Sequence, residues 1–340
     1  MKSRLISFVL GETTKAKKGK EVTSSPTLKS APHYFEATVP QQFIVSQDKI
    51  TIRDREGTLT LKTYQPDALL AEASFEFDDI FSEDTDSFRE EVLAYCKEIL
   101  KKKGVKDLDA FSEEYSIYTV SDYEGDPEQF LKYKDKIAGL LKSEKLALDP
   151  LEIEYTLSAQ LKYAKNDLVV VDWDGAFIFD PDADFASTIE LLELANYQLL
   201  QYRLLDSELD KRIRHVAEIF EKMPEKKRVL FGRKDLQEAL RTVIRIRATS
   251  LFEFHNLERE IKLIGDWYSA RLYELAAKKF KFEEWRSEIK EKLDNMEEVY
   301  SVVSERFSLS PERLEMIGWF VLLFGWGVIM IFDLWVAFFK

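Results

Sequence analysis

Three aspartates in alternate positions, Asp180, Asp182 and Asp184, open like a calcium loop, in which carboxylates surround a hard divalent cation. The pattern breaks at Phe185, which takes the glycine position, and at Leu191, which takes the bidentate glutamate position. The three acids read better as complements to the dipole of a following helix. Gly19-Lys20 begins like a phosphate loop and also fails. Glu21 replaces the required Ser or Thr, and the preceding glycine of the motif is missing. His33, His215 and His255 are widely spaced, and one cysteine, Cys96, excludes an internal disulfide or a thiolate metal cluster. Cys96 falls inside a helical pattern and reads as a buried apolar residue. No cofactor or metal site follows from these residues. The bases are more suggestive. Between Glu225 and Arg247, eight of them (Lys226, Lys227, Arg228, Arg233, Lys234, Arg241, Arg245, Arg247) outnumber three acids (Glu225, Asp235, Glu238), a local charge of 8 − 3 = +5. Such a patch suits RNA, anionic headgroups or an acidic protein, with Arg233, Lys234, Arg241, Arg245 and Arg247 as candidate partner-binding residues. Pairing with the neighbouring helix is the alternative, since residues 185–221 carry seven acids and four bases.

A further acidic pair follows the apolar run Leu168–Val171, in the segment LVVVDWDGAFIFDPDAD. An apolar strand leading into Asp172-Trp173-Asp174-Gly175 resembles the first motif of haloacid-dehalogenase-type phosphatases. The resemblance implies Asp172 as nucleophile, Asp174 as general acid and a magnesium ion between carboxylates and phosphate. Ala176 departs from the Thr or Val of that motif, and AFIFD reads as a second strand, which makes Asp174-Gly175 a hairpin turn. No GxSxG, HExxH or Cys-x-x-Cys accompanies it.

The elements that must carry these residues change character along the chain. With 340 residues, 45% hydrophobic and 13% aromatic, there is material for buried cores, and a net charge of −13 excludes coating nucleic acid by bulk charge. Residues 1–32 read as an N-terminal strand and a Lys/Ser/Thr/Pro-rich loop. From Tyr34 to about Phe81, alternating runs such as KITIRD, TLTLKTY and LAEASFEF are strand signals. A helix is expected at 85–103 with Gly104 as its stop, a strand in EYSIYTVSD, a helix near 127–143, and strands in LEIEYTLSAQLKY and around Asp172. Residues 33–183 therefore read as an α/β head domain. From Asp184 the period becomes three or four. One long helix carries Leu192, Ala195, Leu199, Tyr202, Leu205, Leu209, Ile213, Val216 and Phe220; a second runs from about Lys234 to Phe280; a third carries Trp285, Ile289, Leu293, Met296, Tyr300, Val303 and Phe307 near coiled-coil spacing. The fold class is thus α+β: an α/β-type head followed by an antiparallel bundle or coiled coil at 184–310, with self-association into a homo-oligomer as a competing outlet.

The remaining 311–340 stretch contains Met316–Phe332, MIGWFVLLFGWGVIMIF, free of charge, then Asp333 and LWVAFF. At about 1.5 Å per residue it matches a bilayer core of about 30 Å, and one transmembrane helix is expected, with Trp319, Gly325, Trp326 and Trp335 as anchor residues and lipid as a partner. Leu5–Leu10, LISFVL, is too short for a signal-peptide core. The expected arrangement is single-pass and tail-anchored, with the N-terminal part on the cytoplasmic or organellar matrix side.

The C-terminal stretches ANYQLLQYRLLDSELDKRI, DWYSARLYEL, and WRSEIKEKL leading to ERLEM resemble the family of Required-for-meiotic-nuclear-division and Sad1-interacting-factor proteins. Arg313, Leu314 and Glu315 match the family's Arg-Leu-Glu-Trp, and Met316 replaces its tryptophan. The resemblance implies membrane anchoring, oligomeric tethering and support of organellar translation, with no catalytic residues. The function expected is a non-enzymatic, membrane-anchored adaptor recruiting a protein or ribonucleoprotein, with a membrane-tethered phosphohydrolase using Asp172 and Asp174 as the alternative.

Overall fold

The computed structural model describes residues 1–13, 20–21, 42–221, 233–261 and 267–307, with 319–320, 322–323, 325–326 and 330. The first strand, β1 (Lys2–Glu12), is buried along both faces from Leu5 to Gly11. It is the centre of the sheet, hydrogen-bonded antiparallel to β5 (Ala68–Phe77) on one side and β6 (Ser112–Ser121) on the other. Beyond β5 follow β4 (Arg55–Tyr64), β3 (Gln42–Ile52) and β2 (Lys20–Glu21). Beyond β6 follow β9 (Gly175–Phe179), β8 (Leu168–Val171) and β7 (Gln160–Leu161). Among the described residues this gives nine strands in the order β2-β3-β4-β5-β1-β6-β9-β8-β7, with β6 and β9 parallel and the other pairs antiparallel.

One face packs on α1 (Asp84–Lys102) and α2 (Lys134–Lys142). Alternate strand residues meet these helices in a core containing Leu5, Val9, Leu61, Ala71, Phe75, Phe88, Val92, Cys96, Tyr118 and Phe177. The expected helix at 85–103 is present, and Gly104, at φ +87, ends it, with Val105 N–H returning to the Leu100 carbonyl. The other face carries Phe8, Tyr64 and Tyr115. It meets α4 (Ala186–Glu221) through Tyr64 on Tyr197, and the residues after α6 (Trp267–Lys279) through Tyr115 on Phe280.

Two expectations are corrected here. LEIEYTLSAQLKY is not a strand: residues Pro150–Ser158 form helix α3, and only Gln160–Leu161 extend as β7. The alternation of Leu, Ile and Tyr with glutamates imitates a strand, but Asp149 caps the first turn by accepting from Leu151 N–H at 2.8 Å, and Pro150 occupies the first helical position. The stretch near 127–143 is not one helix but a 3₁₀ segment, Pro127–Tyr133, followed by α2, which ends at Ser143 in the left-handed region. The long helices are α4, α5 (Arg233–Ile261) and α7 (Phe282–Phe307); residues 262–266, between α5 and α6, lie outside the described ones. The apolar stripe of α4 is buried at Leu192, Ala195, Leu199, Tyr202, Leu205, Leu209 and Val216, and that of α7 at Ile289, Leu293 and Met296.

The chain divides into two compact units: Met1–Asp210 with Leu251–Lys290, and Lys211–Ser250 with Glu291–Lys340. The boundary anticipated at 183/184 therefore falls inside the first unit, which keeps the first part of α4. The mixed α+β class stands, but the membrane anchor does not. Among the described residues no helix is long and apolar enough to cross a membrane. Trp319, Gly325 and Trp326 are helical and exposed, and Trp335 lies outside the described residues. The single-pass, tail-anchored arrangement and the sidedness built on it are withdrawn.

Candidate functional site

The acidic pair sits on a tight hairpin. Val171 pairs with Ala176, and Asp172 N–H donates to the Gly175 carbonyl at 2.8 Å, so Asp172-Trp173-Asp174-Gly175 is the turn between antiparallel β8 and β9. Glycine is required at 175: a Cβ there would lie 2.6 Å from the Ser116 carbonyl oxygen of β6. Both carboxylates thus project from a turn that is pinned to its neighbouring strand.

Their surroundings are cationic and closed. The Asp172 side chain is 5% exposed and lies 3.4 Å from Lys142 Nζ and 3.1 Å from Lys279 Nζ. Lys142 also bonds Glu152 of α3 at 2.8 Å, and Lys279 stands 4.6 Å from the centre of the Tyr155 ring. Burial works against the Lys142 ammonium, but Glu152 and Asp172 outweigh it and hold its proton more tightly than usual. Burial pushes the Asp174 carboxyl up, against a hydrogen bond from Ser143 and the charge of Arg89. Arg89, buried on α1, donates to Ser143 Oγ at 2.6 Å and pairs with Asp86 at 2.9 Å. Two linked ionic chains therefore fasten the turn to α1, α2, α3 and α6. Asp172 faces two ammonium groups, and its Oδ2 has no hydrogen-bond partner among the described residues. Among the described residues no group of three or more His, Cys, Asp and Glu is placed to hold a metal ion. Of the acids after β9, Asp180 has a structural role. Asp180 Oδ1 accepts from Asp182 N–H at 2.9 Å, shaping the bend before α4.

A second polar cluster was not anticipated. Lys62 of β4 bonds Glu72 of β5 and Glu193 of α4, each at 2.7 Å, and Tyr64 O–H donates to Glu193 Oε2 at 2.8 Å. The Glu193 side chain is 0% exposed. Its only trace in the sequence is a glutamate interrupting the apolar stripe between Leu192 and Ala195. Farther along α4, Arg203 pairs with Glu113 of β6 and donates to the carbonyls of Ala110 (2.9 Å) and Ser112 (3.1 Å).

The basic cluster divides. Arg241 and Arg245 are exposed, with no ion-pair partner among the described residues, and Ile244 between them is 49% exposed. Arg247 is engaged instead with Glu297 of α7. Arg233 and Lys234 begin α5, but their side chains lie outside the described residues. His255 and His215 are exposed on their helices.

These features define an α+β protein with a mainly antiparallel sheet, nine-stranded among the described residues, and long C-terminal helices. The family model described as "Uncharacterized protein MJ0711, N-terminal domain" matches residues 8–186, more than half of the chain, and the chain belongs to that family. It is also similar to the "Uncharacterized protein MJ0711" of Methanocaldococcus jannaschii, 27% identical over 276 residues that cover 81% of this chain and 80% of that protein. No solved structure matches. The family finding overturns the resemblance to Required-for-meiotic-nuclear-division and Sad1-interacting-factor proteins: the shown membership covers the N-terminal part, whereas that resemblance rested on C-terminal helices. Amphipathic helices share a three-and-four period whatever their ancestry, so their likeness carries little information about descent.

Proposed function

We propose that this chain is a non-enzymatic adaptor that recruits an acidic protein or a ribonucleoprotein through α5. The observation that carries the reading is the exposure of Arg241, Ile244 and Arg245 at successive three- and one-residue steps on one side of that helix. The two guanidinium groups are one helical turn apart, and each offers a planar fork suited to carboxylates or phosphates. Ile244 adds apolar contact between them. In a chain of net charge −13, such a face draws an anionic partner to one place while the rest of the surface repels it. The two lysines held against Asp172 support the same reading over the hydrolase alternative. The test is charge reversal. R241E/R245E should keep the circular dichroism of the native chain and lose about tenfold or more in affinity for the partner captured by the wild type. Wild-type binding should weaken steeply with salt; binding indifferent to both changes would refute the reading.

A further inference from the structure

The buried cluster under α4 holds more acid than base. Lys62 Nζ is shared by Glu72 and Glu193 at 2.7 Å each, and Tyr64 is a neutral phenol. With both carboxyls ionised the cluster carries one excess negative charge beneath a helix, in a place where Glu193 meets no water. One proton shared between the carboxyls restores neutrality. We propose that the seating of α4 on the sheet is proton-linked: a proton held between Glu72 and Glu193 fastens the helix, and loss of that proton loosens it.

The groups facing the pair agree. On β4, the Lys62 ammonium is held above its ordinary range: burial opposes it, but Glu193 and Glu72 outweigh that cost. Tyr64 is pushed far up by burial and by Glu193, and stays neutral. Burial also works against the Glu72 charge, yet Lys62, with Arg4 of β1 assisting, draws that carboxyl below its usual value. Burial drives Glu193 up to about 8, Lys62 opposing and Glu72 reinforcing. Glu190 of α4 adds negative charge near Tyr64. On the opposite side of the sheet Cys96 is neutral, its thiol pushed up to about 12 by burial, Glu72 and Glu114. Glu113, which pairs with Arg203 farther along α4, is pushed up to about 7 by burial against the pull of Arg203.

The sign follows from linkage. The Glu193 carboxyl binds its proton more tightly folded than unfolded, so its contribution is complete below the ordinary 4.5, is lost progressively as pH rises from there, and is gone above about 8. Glu72 acts oppositely, and its contribution is lost only as pH falls below 4.5.

Amide exchange of the α4 segment 190–197 in the full chain, corrected for intrinsic rates, tests the proposal. In the wild type its protection should fall about tenfold between pH 6 and pH 7 and level off above about pH 8. The fall should vanish in E193Q and persist in E113Q, and its upper end should move to higher pH in K62M, where the cation that favours ionisation is gone. A wild-type segment with constant protection, an equal fall in E193Q, or an unmoved fall in K62M would each overturn the proposal.

Discussion

Asp172 lies between the ammonium groups of Lys142 and Lys279, and both it and Lys279, which is 12% exposed, are largely withdrawn from water. Removing one member of such a group strands the others, so Asp172→Asn should destabilise the protein by about 3 kcal/mol, read as a lower urea midpoint with an unchanged slope. Arg203 makes a planar set of contacts to Glu113 and two carbonyls that a lysine cannot reproduce. Arg203→Lys should cost about 1–2 kcal/mol in the same titration. The first of these sites was half legible in the sequence. The hairpin at Asp174-Gly175 could be read from composition and spacing, but not the lysines, which arrive from residues 142 and 279 through tertiary packing. Lys62 and Glu193 were illegible for a related reason. A lysine alternating with Leu59 and Leu61 looks solvent-facing until α4 covers that side of the sheet, and nothing local pairs it with a residue 131 positions away.

Helix α3 shows the same limit at the level of an element. Its period-two pattern was read as a strand, while the Asp149-Pro150 start signal, worth about 1 kcal/mol as a cap, decided the outcome. Asp149→Ala should lower stability by about that amount and raise amide exchange in residues 151–154 without disturbing β8 and β9. Elements whose local signals agree with their surroundings were readable: α1 with Gly104 as its stop, the strands from 42 to 77, and the apolar stripes of α4 and α7. β1 was seen as a strand, but not as the central one. Its place between β5 and β6 depends on pairings with residues about 70 and 110 positions away.

At the scale of the whole molecule, charge is apportioned between structure and surface. In the first unit Asp172, Glu193, Glu113 and Arg89 are spent on fastening helices to the sheet. In the second, Arg247 joins α5 to α7, while Arg241 and Arg245 remain exposed. The net charge of the basic stretch was legible from composition; which of its arginines are free depends on where α7 lies. The most direct measurement is a side-by-side affinity isolation with D172N and R241E/R245E, each confirmed as folded by circular dichroism. Retention of the same acidic or nucleic-acid-containing partner by D172N, and its loss from R241E/R245E, is the expected result. Loss of the partner from D172N with retention by R241E/R245E would contradict the division of charge described here.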